Sequence, residues 1–426
     1  MYVFCSLFFR GLWEANCLCK ESIVKKIGSL SAQGSMTSSN IFGGKDLIIM
    51  KILITGGTGT ISSGLVQESV NQGFKTYAIT RGTNNVRNIS GAIYLKANIW
   101  NRDEVNSAIK NLEFDVVVEC LVYGVEQLRI SLENFGTKCK HFFFISTTGI
   151  FRRESNQRIR EETPKEIKEW NYTKTKIECE EYLIDYCKKH QLKYTIIRPV
   201  VTYGDYRVPF PIATRNPSWS FFDRLKSGKP MLACKSVKFS VMHIMDFSRA
   251  VVSLFQNERS MNEDFNIATR EGEIFWDDVI EIASQKYGVS SFIVHVPVEC
   301  LCSVYREIYD EIKWNKSLPL LMDDTKLKSV LPDYTQKIDI VNGINSISDN
   351  MEAEFLKNRL RIDYNWNKQC DIVLLYALKK GMLGKEEENR LQQYFRTVEA
   401  KYLKELNASA QILFLKNVVK TLLHRW

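Results

Sequence analysis

The chain has 426 residues, 45% hydrophobic and 25% charged, with a formal net charge of +9 and a pI near 8.8. That length supports two domains with real cores, and the composition is that of a globular protein rather than a disordered or fibrous one. The positive balance is mild for the length: it favours anionic ligands without demanding nucleic acid, and no apolar run approaches the length that spans a bilayer.

Residues 1–49 differ from the rest. Met1 to Trp13 is apolar but broken by Arg10, with no basic leader region and no small-residue cleavage site, so it does not read as a signal peptide. Ser29 to Gly44 is rich in Ser and Gly and reads as flexible. Met50 stands directly before the first strand, so the expectation is an N-terminal extension, flexible or not native, with the folded chain beginning at Met50. The 11 cysteines are scattered, and the close pairs Cys17/Cys19 and Cys300/Cys302 lack the doubled spacing of a zinc site. Reduced thiols, a cytoplasmic location and no metal are the expectation.

Ile52 to Ile54 reads as a buried parallel strand. Gly56, Gly57 and Gly59 follow, where the backbone turns sharply, and Ile61, Leu65 and Val66 begin a helical pattern. Strand, glycine turn and helix start aim unpaired N–H groups and a positive dipole end at whatever lies over the loop, which suits a pyrophosphate. The third small residue of the fingerprint is Ser62, which still permits close packing. The helix runs to about Gln72 and stops at Gly73, and Lys75 to Thr80 is the second strand. An acid ending that strand would bind a ribose 2′-hydroxyl; this chain has Thr80 and Arg81. Arg81 suits a 2′-phosphate, which tilts the cofactor from NAD toward NADP; the alternative is a solvent-facing arginine.

Ala92 to Lys96, Asp115 to Glu119 and His141 to Ile145 read as further strands, with helices at Arg102 to Leu112 and Gln127 to Phe135. Unbroken alternation predicts an α/β fold: a Rossmann-type doubly wound parallel sheet. Asn98 and Ile99 fall where an adenine would lie, and Ser146, Thr147 and Thr148 close the fifth strand. The stretch from Glu169 to Lys176 then opens a helix that runs to about Lys189, in which Tyr172 and Lys176 are four apart and share a face. A phenol ionises near pH ~10. A nearby cation lowers that value, so the pair reads as a proton-transfer device near neutral pH.

With these residues the chain resembles the extended short-chain dehydrogenase/reductases, and within them the NAD-dependent epimerase/dehydratase group, over roughly Met50 to Pro332. The resemblance is carried by Gly56 to Ser62, by Ile145-Ser146-Thr147, by Tyr172 and Lys176, and by Arg198-Pro199 with Tyr203-Gly204. His243, Asp246 and Arg249, followed by Phe265-Asn266-Ile267, are a weaker match. It implies a catalytic set of Thr147, Tyr172 and Lys176. Tyr172 would be the acid/base on a sugar hydroxyl, Lys176 would bind the nicotinamide ribose and lower the Tyr172 pKa, and Thr147 would hold the reacting oxygen. The implied cofactor set is Gly56, Gly59, Thr60, Ile61, Arg81, Asn98, Ile99, Tyr172, Lys176 and Pro199, with Thr147, Thr148 and Tyr172 on the substrate side. Asn98 stands where the family usually has an aspartate, and Phe151 where it usually has a tyrosine.

The domain reading is an extension over 1–49, a dinucleotide-binding domain over 50–205 and a smaller, mainly substrate-binding domain over 206–345. Within the latter, 236–270 returns to the first domain, and 346–426 forms a helical tail. Arg215, Arg224 and Lys229 are candidate partners for a diphosphate, or else solvated surface charges. Trp219 to Lys226, Trp276 to Tyr287 and Val298 to Ile312 read as helices, and Asp324 as the N-cap of another. From Glu386, apolar residues recur at helical spacing through Leu391, Phe395, Val398 and Tyr402 to Ile412, Leu415, Val419, Leu422 and Trp426, with Lys416, Lys420 and Arg425 among them. Packing on this chain or a partner subunit is favoured over a membrane-surface helix.

The function expected is an NAD(P)-dependent epimerase or keto-reductase acting on a nucleotide-activated sugar, with a homodimer as the assembly considered and nucleic acid not expected. The alternative is a non-catalytic relative that binds RNA or senses NAD(P). Thr148 and Gly149 follow Thr147 where the dehydratases of this family carry carboxylates, so no loss of water is expected.

Overall fold

The computed structural model describes residues 49–83, 88–153, 157–166, 169–214, 216–301 and 306–423. The expectation for residues 1–49 therefore lies outside the described residues, apart from Ile49. In chain order the elements are β1 (Lys51–Thr55), α1 (Thr60–Asn71), β2 (Lys75–Thr80), β3 (Ile93–Lys96), α2 (Arg102–Ala108), β4 (Phe114–Glu119), α3 (Val125–Phe135), β5 (Cys139–Ile145), α4 (Asn171–His190) and β6 (Lys193–Pro199). Then follow β7 (Val201–Tyr203), α5 (Ser220–Lys226), β8 (Met231–Ala233), β9 (Lys238–His243), α6 (Ile244–Ser253), β10 (Glu263–Ile267), β11 (Glu273–Phe275), α7 (Trp276–Tyr287) and β12 (Ile293–His295). The last part is helical: α8 (Arg306–Glu311), a π-turn over Ile312–Lys316, α9 (Thr325–Val330), α10 (Ile340–Leu356), α11 (Tyr364–Lys379), α12 (Lys385–Thr397) and α13 (Ala400–Leu423).

Seven strands form one parallel sheet in the order β10-β6-β5-β4-β1-β2-β3. The doubly wound arrangement expected from the alternation is what the chain adopts, and β10 joins the edge beyond β6 from far along the sequence. Both faces are covered, so the central strands are apolar throughout. Phe142 and Phe144 face one core with Leu53, Val117, Leu128 and Leu183, while Phe143 faces the other with Ile52, Ile54, Leu65 and Val251. All three phenylalanines are fully buried, each contributing about 1.5–3 kcal/mol of transfer free energy.

The close approach of α1 to α6 depends on a glycine beyond the fingerprint. A Cβ at Gly64 would lie 2.6 Å from Ile244 and 2.7 Å from Ser248. Ser62 instead turns its hydroxyl to the Gly59 N–H, which donates to it at 3.1 Å.

Other expectations are corrected. The helix expected over Arg102 to Leu112 stops at Ala108. The single helix expected over Val298 to Ile312 is a 3-10 turn at Val298–Cys300, then α8 and the π-turn. Side chains bind the carbonyls at and just after the end of that turn: Trp276 Nε1 donates to Lys316 O at 2.8 Å, and Arg153 to Asn315 O at 2.6 Å and Leu318 O at 3.2 Å. Asp324 stands at the N-cap of α9 as expected but makes no side-chain capping bond: it pairs with Lys328 at 2.6 Å, and Asp323 accepts the Thr325 N–H at 3.1 Å.

Arg224 is buried, not a ligand partner. It pairs with Asp371 at 2.7 Å and donates from Nε to the Pro230 carbonyl at 2.7 Å. The Tyr394 and Tyr402 hydroxyls donate to the same Asp371 carboxylate at 3.3 and 3.1 Å, so one buried cluster ties α5 to α11, α12 and α13. With Leu391, Phe395, Leu406 and Ala410 also buried, the tail packs on its own chain as far as Ala410. The side chains of Leu415, Lys416, Val419, Lys420, Leu422, Arg425 and Trp426 lie outside the described residues. No described helix is long and apolar enough to cross a membrane.

Candidate active site

At the carboxyl ends of β1, β5 and β6 lies a cavity of ≈ 690 Å³. Gly56 and Gly57 turn the chain there with φ of +90° and +62°, and a Cβ at Gly57 would lie 2.7 Å from that of Ala78. Only glycine accepts this conformation without strain. The turn delivers Gly59, Thr60 and Ile61 to the cavity wall, at the N-terminus of the 12-residue α1.

Thr147, Tyr172 and Lys176 line the same cavity. Thr147 follows β5 in extended backbone; its Oγ1 accepts the Gly149 N–H at 3.1 Å, and its hydroxyl acts to lower the Tyr172 pKa. Trp170 packs on Tyr172, ring centroids 4.9 Å apart. Lys176, one turn further along α4, is buried, and its Nζ donates to Val122 O at 2.7 Å and Ile145 O at 2.8 Å. The Phe144 and Tyr123 rings lie 4.8 and 5.5 Å from the ammonium and add a cation–π contribution.

The expected lowering of the Tyr172 pKa by Lys176 is not what this geometry gives. Burial raises the phenol above its ordinary value and Tyr123 adds to this, with the Thr147 hydroxyl working the other way. The ammonium is committed to two carbonyls and sits 6.0 Å from the Tyr172 ring centroid. Burial also lowers the Lys176 pKa, to about 8.

Pro199 and Thr148 line the cavity too, but the Thr148 hydroxyl donates to the Pro199 carbonyl at 3.0 Å and so ties β5 to β6. Arg81 is exposed at the end of β2. Asn98 turns its carbonyl to the Trp100 N–H at 3.3 Å, and the Ile99 side chain lies in the core. Arg81, Asn98 and Ile99 are not among the cavity-lining residues. Arg198 of the Arg-Pro motif is a strut. It meets Glu180 twice at 2.8 Å and Asp264 at 2.7 Å, joining β6 to α4 and β10, and stacks 5.1 Å over the Phe151 ring. Asp246, in the weaker motif, accepts the Lys337 and Ile338 N–H groups at 3.0 Å each and anchors that loop.

The opposite wall holds residues the sequence reasoning missed. Arg207, Glu311, Asn315 and Lys316 line it, and Lys316 pairs with Glu311 at 2.8 Å. Of the expected diphosphate partners, Arg215 lies outside the described residues and Lys229 does not line the cavity.

A parallel sheet with a glycine turn and a Tyr–Lys helix face at its carboxyl edge is the arrangement of a Rossmann-type short-chain dehydrogenase/reductase. The model of the NAD dependent epimerase/dehydratase family matches residues 52–268, and the chain belongs to that family. An epimerase from Methanothermobacter thermautotrophicus superposes with a TM-score of 0.61 at 15% identity, over 74% of this chain and 96% of that one. A UDP-glucose 4-epimerase of Thermus thermophilus, in complex with NAD, gives 0.56 at 17% identity over 71% and 99%. A UDP-glucuronic acid 4-epimerase of Bacillus cereus, with UDP-glucuronic acid and NAD, gives 0.57 at 19% over 71% and 99%. At these identities the likeness is one of fold. None of the curated proteins compared matches the chain. The glycine turn fits the dinucleotide the family implies: its backbone is bare where a Cβ would collide, and it opens a helix N-terminus onto the cavity.

Proposed function

We propose that the chain is an NAD(P)-dependent epimerase or keto-reductase of a nucleotide-activated sugar. The observation that carries the reading is the meeting of Thr147, Tyr172 and Lys176 with the N-terminus of α1 around one cavity. Gly59, Thr60 and Ile61 would hold the pyrophosphate, Pro199 would flank the nicotinamide, and exposed Arg81 would meet a 2′-phosphate. Bound there, the nicotinamide supplies a hydride acceptor. Tyr172 exchanges a proton with the sugar hydroxyl through its phenol oxygen. Thr147, beside that phenol on the cavity wall, orients the reacting oxygen. Lys176 places a fixed positive charge behind the pair, where negative charge develops on the phenol oxygen as its proton leaves.

Removal of water from the sugar would need a further acid and base. Thr148 and Gly149 offer no carboxylate, and Glu311, the one carboxylate on the cavity wall among the described residues, is paired with Lys316. The reaction proposed therefore keeps the water. Incubation with nucleotide-hexoses and NAD(P), followed by mass spectrometry, tests this. An epimer of unchanged mass or a product differing by two hydrogens is expected; a product lighter by one water overturns it.

A further inference from the structure

Glu119 ends β4 fully buried, and donors converge on its carboxylate. Thr55 Oγ1 and the Leu121 N–H each donate to Oε1 at 2.7 Å, and the Ser131 hydroxyl meets Oε2. The Leu121 N–H can only donate, and the Thr55 oxygen already accepts the Cys120 N–H at 2.8 Å. Such a set suits an ionised carboxylate. Burial pushes the Glu119 carboxyl above its ordinary value, while these hydrogen bonds and Lys176 pull it back.

The loop held in this way ends at Val122, whose carbonyl accepts from Lys176 Nζ at 2.7 Å. Around that ammonium stand Glu119 and Cys120 from the β4 end, Cys179 and Glu180 from its own helix, and the Tyr123, Phe144 and Tyr172 rings. Glu180 is already balanced by Arg198 and Lys165, both at 2.8 Å. An ammonium in a dry site keeps its proton only where an anion offsets the lost hydration.

We infer that Glu119 is a positioning residue for Lys176: its carboxylate fixes the Cys120–Val122 loop that receives the ammonium, and its charge keeps that ammonium protonated. The inference rests on the reading of Lys176 as part of the catalytic pair. Glu119→Gln is the sharp test, because the amide keeps an acceptor for Thr55 and Leu121 and removes the charge.

The direct readout is the titration of Lys176 by NMR in protein carrying 13C-labelled lysine, its resonance assigned by its loss in Lys176→Met. In Glu119→Gln the midpoint should fall by about one pH unit, a tenfold loss of proton affinity. The alkaline limb of kcat/KM should move with it. An unchanged midpoint in folded Glu119→Gln overturns the inference. If that variant does not fold, Glu119→Asp, which keeps the charge but draws it back along the shorter side chain, should lower the midpoint by a smaller amount; no movement there overturns it equally. The NMR midpoint stands apart from turnover. A wild-type protein inactive on every nucleotide sugar would sink the functional reading, whereas a midpoint indifferent to Glu119 would sink only this one.

Discussion

The two walls of the cavity are built in different ways. One is assembled from short stretches whose spacing is set by a single element: the glycine turn between β1 and α1, and Tyr172 and Lys176 one turn apart on α4. The other comes from Arg207 and from a π-turn more than a hundred residues later, whose last carbonyls are held by Arg153 and Trp276. The first wall is local in sequence and follows from helix and turn geometry. The second is non-local, and its side chains reach the cavity only through contacts with other elements. The chemistry is read from the first wall, and the partner from the second.

The largest expected effect lies away from both walls. Arg224 looks like a ligand-binding arginine by position, yet it is buried against Asp371. Asp371→Ala would leave that guanidinium without its anion in the core, which costs about 3–5 kcal/mol. Denaturant unfolding checks this; a loss below about 1 kcal/mol, the scale of an exposed pair, would mean the cluster is wetter than its burial implies.

On the first wall, Tyr172→Phe should keep cofactor binding and lose at least about a hundredfold in turnover, the usual worth of a general acid/base. That corresponds to about 2.7 kcal/mol of barrier. Turnover near wild type would remove Tyr172 from the mechanism and turn attention to the opposite wall. Arg81 stands outside both walls. Arg81→Ala should weaken NADP binding more than NAD binding, by about 1–3 kcal/mol. Equal effects in titrations with the two cofactors would make it a bystander.

The difference between the walls also explains what could be read in advance. The central strands and the glycine turn were legible because burial on both sheet faces demands apolar runs, and close backbone approach demands glycine. Tyr172 and Lys176 were legible because a helix converts spacing into a shared face. Glu119 carries no such mark: one acid ending an apolar strand looks like any strand end, and its meaning comes from Thr55 and Ser131, each on another element. Gly64 resembles an ordinary mid-helix glycine until α6 is packed against it. Arg224 and the π-turn failed for the same reason, since burial and contacts with Arg153 and Trp276 are properties of the packed chain.

The smallest expected effect is in pH. Burial brings Lys176 to about 8, from the ordinary 10.5. If turnover needs the ammonium, the rate should fall above about pH 8, by twofold at the midpoint. Tyr172, raised above its ordinary value, titrates too high to produce that limb. Stability should move the opposite way. The native state releases this proton before the unfolded chain does, so between about 8 and 10.5 the unfolded chain holds one proton more. Stability then rises with pH across that window as far as this group is concerned. Lys176→Met should abolish that rise. A falling rate with rising or steady stability separates titration at the first wall from alkaline unfolding, which would lower both together. A rate flat to pH 10 would place Lys176 outside the rate-limiting chemistry.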